Sequence, residues 1–249
     1  FAAKHFKNLS IMNIKAQVPN TITLLNLLSG CIALVYATNA NYEMALIWVC
    51  TGIFLDFFDG FFARLFNVSS PLGLQLDSLA DMVTSGVVPG YVMFMMMNEN
   101  MNLPFEYFAY FGFLVTLGSC YRLANFNIDE RQTDSFIGLP TPANALFIIS
   151  LPLVLKYTDS LILLEILINP YVLLLICVFS AYILNAEIPL FSLKIKKKFS
   201  WASNKLQLSF LAVSVVFLAL FQYAAIPLII ILYVLLSVLN NKFLAKAKI

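Results

Sequence analysis

The chain has 249 residues, of which 61% are hydrophobic and only 11% charged, less than half the charged share of an ordinary soluble domain. A water-soluble fold of this length could not hide so much apolar surface, so the expected solvent is a bilayer and the expected class an all-α, polytopic transmembrane helix bundle. The net charge of +2 says little about partners, and no nucleic-acid partner is expected.

Residues 1–18 place Lys4, His5, Lys7 and Lys15 among apolar side chains, a pattern that fits a helix lying on the membrane surface. They are set off as a juxtamembrane segment from an integral membrane domain over 19–249. Apolar runs then predict eight spans, at about 20–40, 43–66, 71–97, 104–124, 140–157, 167–186, 206–222 and 225–241. The first run is of full spanning length and no small-residue cleavage site follows it, so no cleavable leader is expected. Asn20 and Thr23 stand near the start of the first span, where helix capping is their ordinary role. Ser69-Ser70-Pro71 is a start signal for the third, a hydroxyl cap followed by a proline whose missing N–H does no harm. The sixth is the loosest, with Asn169 and Pro170 near its start, and the last two share a very short turn around Pro227. Cys31, Cys50, Cys120 and Cys177 all lie in apolar stretches without a CxxC pair, and read as small buried residues.

Basic residues set the orientation. With eight spans, one side receives Lys4, Lys7, Lys15, Arg64, Arg122, Arg131, Lys194, Lys196, Lys197, Lys198, Lys205, Lys242, Lys246 and Lys248, and the other only Lys156. Both termini are therefore expected on the cytoplasmic side of the cytoplasmic (inner) membrane. The run Lys194–Lys198 reads as an anionic-lipid contact and topology signal.

Four aspartates interrupt the second and third spans, in LDFFDGFFARLFNVSSPLGLQLDSLAD. A carboxylate inside a span is costly unless paired or coordinated, and four in neighbouring helices need cations. At 100° per residue Asp56, Asp59, Gly60, Ala63 and Arg64 fall within an arc of about 140° on one helix. Asp77 and Asp81 are four residues apart, so they share a face of the next, with Gly73 one turn earlier. The connection is short and the helices should be antiparallel. Asp56 lies about 12 Å of helix from Arg64, and the four carboxylates can converge in a cavity open to the cytoplasm. An all-oxygen ligand set favours hard cations, Mg²⁺ or Mn²⁺, over zinc. Gly60 and Ala63 add no bulk to that face, and Arg64 at its mouth suits a phosphate. Metal, arginine and the space between them describe a diphosphate site. Aspartates of this kind could instead relay ions in a transporter, but the pattern D-x2-D-G-x2-A-R-x8-G-x3-D-x3-D fixes eight positions in 26 residues.

Those positions resemble the signature of the CDP-alcohol phosphotransferase family at every fixed residue. The resemblance implies a six-helix core, here with extra C-terminal helices, and a dinuclear metal site. It assigns Asp56, Asp59 and Asp77 to metal, Asp81 to metal and to the catalytic base, Gly60 and Ala63 to nucleotide space, and Arg64 to the diphosphate. Gly73, Asn20 and Thr23 are carried to the CDP-diacylglycerol side. A homodimer is also implied.

Two further stretches narrow the branch. QVPNTITLLNLLSG resembles the first helix of bacterial and archaeal phosphatidylserine synthases, and YRLANFNIDERQTDSFIGLPTPANA their segment around helices four and five, with Asn125 where that branch often has arginine. The lysine-rich motif expected after the signature in a phosphatidylglycerophosphate synthase is missing. The implied reaction is phosphatidyl transfer from CDP-diacylglycerol to L-serine, releasing CMP. The same chemistry on glycerol 3-phosphate or inositol phosphate is the alternative within the family. Serine carries a carboxylate and an ammonium, so Arg122 is a candidate for the first, and Asn125, Asn127 and the carbonyls around Gly138–Pro142 for the rest. The ordinary reading of Arg122 is a side chain snorkelling to lipid headgroups at a helix end.

Overall fold

A computed structural model describes residues 14–68, 70–99, 103–129, 137–191 and 205–246. The regular structure there is helical, with one isolated bridge between Ile137 and Pro189. Helix α1 spans Ile14–Thr38, so it starts before residue 18 and takes in the end of the stretch expected to lie on the surface. Lys4, His5, Lys7, Ser69, Arg131, the run Lys194–Lys198 and Lys248 lie outside the described residues.

Local signals explain most of the other boundaries. Asn41 caps α2 (Tyr42–Leu65) by accepting from Met44 N at 3.2 Å. Ser70 Oγ accepts from Gly73 N at 2.9 Å and Pro71 opens α3 (Pro71–Asn98), which keeps its course through a π-helical stretch, Met82–Val87. A 3₁₀ segment, Phe108–Phe113, leads into α4 (Leu114–Phe126). Helix α5 is Thr141–Tyr157. The sixth predicted span is broken into α6 (Leu161–Ile168) and α7 (Pro170–Asn185), bent by 72°. Asn169 causes the break: its side chain caps Tyr171 N at 2.9 Å, while Pro170 removes a backbone donor. Helices α8 (Lys205–Phe221) and α9 (Ala225–Lys246) complete the chain.

Contacts at the two ends of the bundle sort the helices by direction. At one end Glu43, at the start of α2, meets Lys156 and accepts from Tyr157 Oη at 2.8 Å, both at the close of α5. Tyr157 stacks on Tyr223 of the α8–α9 turn at 5.1 Å, and Phe108 meets Tyr171 at 5.9 Å. At the other end Leu139 N donates to Ile183 O at 3.0 Å, Gly138 N to Ile188 O at 2.9 Å and Asn241 Nδ2 to Pro189 O at 2.5 Å. Successive helical passes therefore alternate.

Length and apolarity qualify Gln17–Thr38, Tyr42–Leu65, Pro71–Asn98 and Leu206–Asn241 as membrane spans, with the bent pair α6–α7 as a fifth. This is an integral membrane protein, and the expectation of eight crossings goes further than those lengths do. Leu206–Asn241 is not one straight rod. The rings of Phe210 and Tyr233 lie 5.7 Å apart, whereas 23 residues of continuous helix would separate them by about 35 Å. The chain reverses at Gln222, whose φ is +47°, so the turn lies just before Pro227. Large side chains such as Phe54, Phe57, Leu117, Leu161 and Leu220 point outward, as expected where lipid is the solvent. Inside, Val49, Val88, Met93, Met97, Ile149 and Leu173 form one continuous core.

Gly138, from the GLP segment, has φ +77°, a conformation costly for residues with a Cβ. A Cβ there would strike the carbonyl of Leu184 and lie 3.1 Å from that of Ala186. Gly138→Ala is expected to destabilise this junction by about 1–3 kcal/mol. A thermal-unfolding midpoint equal to wild type in the same micelle would count against that account.

Candidate active site

Asp56 and Asp59 lie on successive turns of α2, and Asp77 and Asp81 on successive turns of α3. One carboxylate oxygen from each of Asp56, Asp59 and Asp77 falls within 4.8 Å of the other two. At that separation, and an effective dielectric of about 20, two full charges repel by about 3.5 kcal/mol. Asp59 is only 6% exposed, and Asp77 Oδ1 is buried without a hydrogen-bond partner among the described residues. Three close acid groups with an unsatisfied buried oxygen suit a hard divalent cation, so these residues can hold a metal ion.

Asp81, one turn beyond Asp77 on α3, has a hydrogen-bond partner of its own. Its Oδ1 accepts from Asn26 Nδ2 at 3.1 Å, and Asn26 Oδ1 accepts from Thr84 Oγ1 at 2.9 Å. The second bond fixes which end of the Asn26 amide faces Asp81. Gly52 makes the arrangement possible, because a Cβ at 52 would lie 2.7 Å from both Asn26 Oδ1 and Thr84 Cγ2. Thr84 belongs to the π-helical stretch beginning right after Asp81, and such irregularities occur often at functional sites. The sequence reading missed Asn26 and Thr84. The available signal was an amide in the middle of the apolar run TLLNLLSG, which asks for a partner at membrane depth.

Two cavities meet at the carboxylates, and Asp77 lines both. One, of about 200 Å³, is lined by Asn20, Thr23, Asp59, Gly60, Ala63 and Gly73 among others. Six residues expected on the nucleotide or metal side thus come together. Thr23 is more than a cap: its hydroxyl donates to Asp59 Oδ2 at 2.5 Å, with the Pro19 carbonyl 3.0 Å away. A Cβ at Gly60 would meet only Arg64 Nη2, 3.9 Å away, so that wall is open. Arg64 itself is exposed, one turn further along α2.

The other cavity, of about 250 Å³, is lined by Asp56, Asp77, Ser78, Asp81, Arg122 and Thr141 among others. Arg122 is 5% exposed and lies over the Phe126 ring at 5.1 Å, so it is buried beside the carboxylates and not snorkelling outward. The two asparagines placed with it in the sequence do not share this wall. Asn127 Nδ2 donates to Ser78 Oγ at 2.8 Å, pinning the end of α4 to α3. Asn125 is exposed and lines a separate cavity on the far side of Arg122.

An integral membrane helix bundle that gathers three carboxylates where two cavities meet defines a class of intramembrane protein able to hold a metal ion. The chain belongs to the CDP-alcohol phosphatidyltransferase family, whose model it matches over residues 16–183. It is 36% identical over 153 residues to a CDP-diacylglycerol–serine O-phosphatidyltransferase of Bacillus subtilis, covering 60% of this chain and 80% of that protein. Proteins of the same description from Helicobacter pylori (strain J99) and Methanocaldococcus jannaschii are 34% and 31% identical over 137 and 132 residues. Each match covers 53% of this chain, but only 55% and 58% of those two relatives.

Proposed function

We propose that the protein transfers the phosphatidyl group of CDP-diacylglycerol to the hydroxyl of L-serine, giving phosphatidylserine and CMP. The observation that carries this reading is Asp77, which lines both cavities with the carboxylate trio at their junction. A displacement at phosphorus needs that layout, with donor and acceptor approaching one charged centre from opposite sides. The donor's cytidine diphosphate is assigned to the cavity of Asn20, Gly60, Ala63 and Gly73, with Arg64 on the diphosphate and Thr23 orienting Asp59. Serine is assigned to the cavity of Asp81, with its carboxylate on Arg122. Asn127 holds the wall through Ser78. Asp81 accepts the hydroxyl proton as the serine oxygen bonds to the β-phosphorus, and the bond to the CMP oxygen breaks. Two divalent cations, Mg²⁺ or Mn²⁺, held by Asp56, Asp59, Asp77 and Asp81, would neutralise the diphosphate and the departing phosphate.

The same reading takes the eight alternating helical passes as eight crossings of the cytoplasmic membrane, with both termini and the site facing the cytoplasm and the domain beginning near residue 19. The Lys and Arg bias supports it. The family resemblance supports a homodimer surrounded by membrane lipids.

The test is purified protein with CDP-diacylglycerol, metal and a panel of alcohols, read by CMP release. Serine-dependent CMP is expected. Release with glycerol 3-phosphate or inositol phosphate but not serine would overturn the acceptor while keeping the family, and ion flux without CMP would favour a transporter. The nucleotide assignment makes its own prediction. Gly60→Val is expected to raise the KM for CDP-diacylglycerol about tenfold or more by filling the open wall, with the KM for serine unchanged. An unaltered lipid KM would remove Gly60 from the donor site.

A further inference from the structure

Helix α5 begins at the wall of the reaction cavity: Pro140, Thr141 and Pro142 line it together with Asp56, Asp77 and Asp81. The start of that helix offers donors and carries no side-chain cap. Its N-cap residue is Pro140, which makes no side-chain cap bond. Asn144 N donates to Pro140 O at 3.1 Å, the first bond of the helix, and Pro142 has no N–H. The N–H groups of Thr141 and Ala143 are left over, because the first turn of a helix has no internal acceptor for them. Thr141 is 4% exposed, and its hydroxyl makes no hydrogen bond among the described residues, although a buried hydroxyl ordinarily has one. The turn is fixed in place by α7 and the residues just after it. Leu139 N donates to Ile183 O at 3.0 Å, Gly138 N to Ile188 O at 2.9 Å, and Ser180 Oγ to Asn144 Oδ1 at 2.8 Å. Donors held in this way are preorganised for an anion.

We propose that Thr141 and the uncapped start of α5 bind the carboxylate of the acceptor, so that the reaction cavity selects a hydroxy amino acid over an amino alcohol without a carboxylate. A helix start supplies positive potential and N–H donors to an anion. Thr141 Oγ adds a hydroxyl donor with no other use among the described residues. Asp56, Asp77 and Asp81 repel a carboxylate, so the electropositive part of the lining is Arg122 and this helix start. A carboxylate held there leaves the acceptor's hydroxyl to reach Asp81, which lines the same cavity. The inference rests on serine being the acceptor, and adds Thr141 as a specificity residue outside the metal site.

Thr141→Val keeps the shape and the backbone N–H but removes the hydroxyl, and Thr141→Ser restores it. The experiment measures both KM values, kcat and the thermal-unfolding midpoint of the full chain for wild type and the two variants, with CDP-diacylglycerol in micelles and Mn²⁺. Thr141→Val is expected to raise the KM for serine about tenfold, the worth of a hydrogen bond to a charged group. The KM for CDP-diacylglycerol should hold and kcat should fall by less than about twofold, because the carboxylate is bound alike before and during the reaction. Thr141→Ser should recover most of the loss. The inhibition constant of 3-hydroxypropionate, which has the carboxylate and hydroxyl but no ammonium, should rise in Thr141→Val by about the same factor as the serine KM. An unchanged serine KM in Thr141→Val would overturn the carboxylate site. So would both substrates' KM values rising together with a lowered midpoint, which is what a purely structural role predicts, or a loss that Thr141→Ser does not recover. Wild type that releases CMP with glycerol 3-phosphate but not serine would sink the acceptor reading itself, and this inference with it.

Discussion

Asp59→Asn and Asp77→Asn are each expected to lower turnover by about 10³-fold or more, the several kcal/mol that charge neutralisation by a bound cation contributes. The geometry sets the size of the effect. Asp56, Asp59 and Asp77 bring three oxygens within 4.8 Å, and an amide gives a hard cation a weaker, uncharged ligand. Asp77 should be the most sensitive, because it also walls both cavities. Asp59 keeps its place through Thr23, so Thr23→Val should act in the same direction but less. Chelation should stop the wild-type protein and readdition of Mg²⁺ or Mn²⁺ restore it. Mn²⁺ bound at equilibrium, counted by its paramagnetic signal, should fall in each aspartate variant independently of turnover. Full turnover in excess EDTA would end the metal assignment, and intact Mn²⁺ binding in Asp77→Asn would remove that residue from it.

The carboxylate positions were legible because cost made them conspicuous. Carboxylates in apolar helices have few explanations, and the helical period puts Asp56 with Asp59 and Asp77 with Asp81 on shared faces. The helix start at Ser70-Pro71 was legible for a similar reason, since the cap satisfies a named backbone group, whereas Asn169-Pro170 marked only a loose span and not the break between α6 and α7. Less legible was whatever depends on a partner far along the chain. Asn26 looks like one polar residue among leucines until Thr84, 58 positions away, fixes its amide and Asp81 receives it. Asn125 and Asn127 stand two apart near the end of α4, and a two-residue step on a helical path turns a side chain by about 200°. One therefore faces Ser78 and the other the separate cavity beyond Arg122. The 3₁₀ entry to α4 was hidden because Phe108–Phe113 is as apolar as the helix it leads into, and apolarity does not record hydrogen-bond register.

Asp81 differs from the other three aspartates in its hydrogen-bond partner, and that difference predicts how its loss should look. Asn26, with no exposed surface, donates to one carboxylate oxygen of Asp81. The carboxylate also lines the cavity that contains Arg122, where an acceptor hydroxyl would arrive. A group placed in this way acts on the proton of the attacking alcohol more than on the bound nucleotide lipid. Asp81→Asn should therefore keep its affinity for CDP-diacylglycerol while its single-turnover rate falls by about 10²-fold or more. Asp59→Asn should weaken affinity and rate together. Asn26→Leu should lie between, slowing the single-turnover step by about tenfold, because a mis-aimed base still accepts a proton but from a poorer geometry. The measurements are lipid-nucleotide affinity by calorimetry and CMP formed in a single turnover at saturating serine. If Asp81→Asn turned over at near the wild-type rate, Asp81 would be at most a supporting ligand, and the Asn26–Thr84 pair would serve only to pack α1 against α3. If instead Asn26→Leu fell as far as Asp81→Asn with lipid affinity intact, orientation by the amide would account for most of what the carboxylate does.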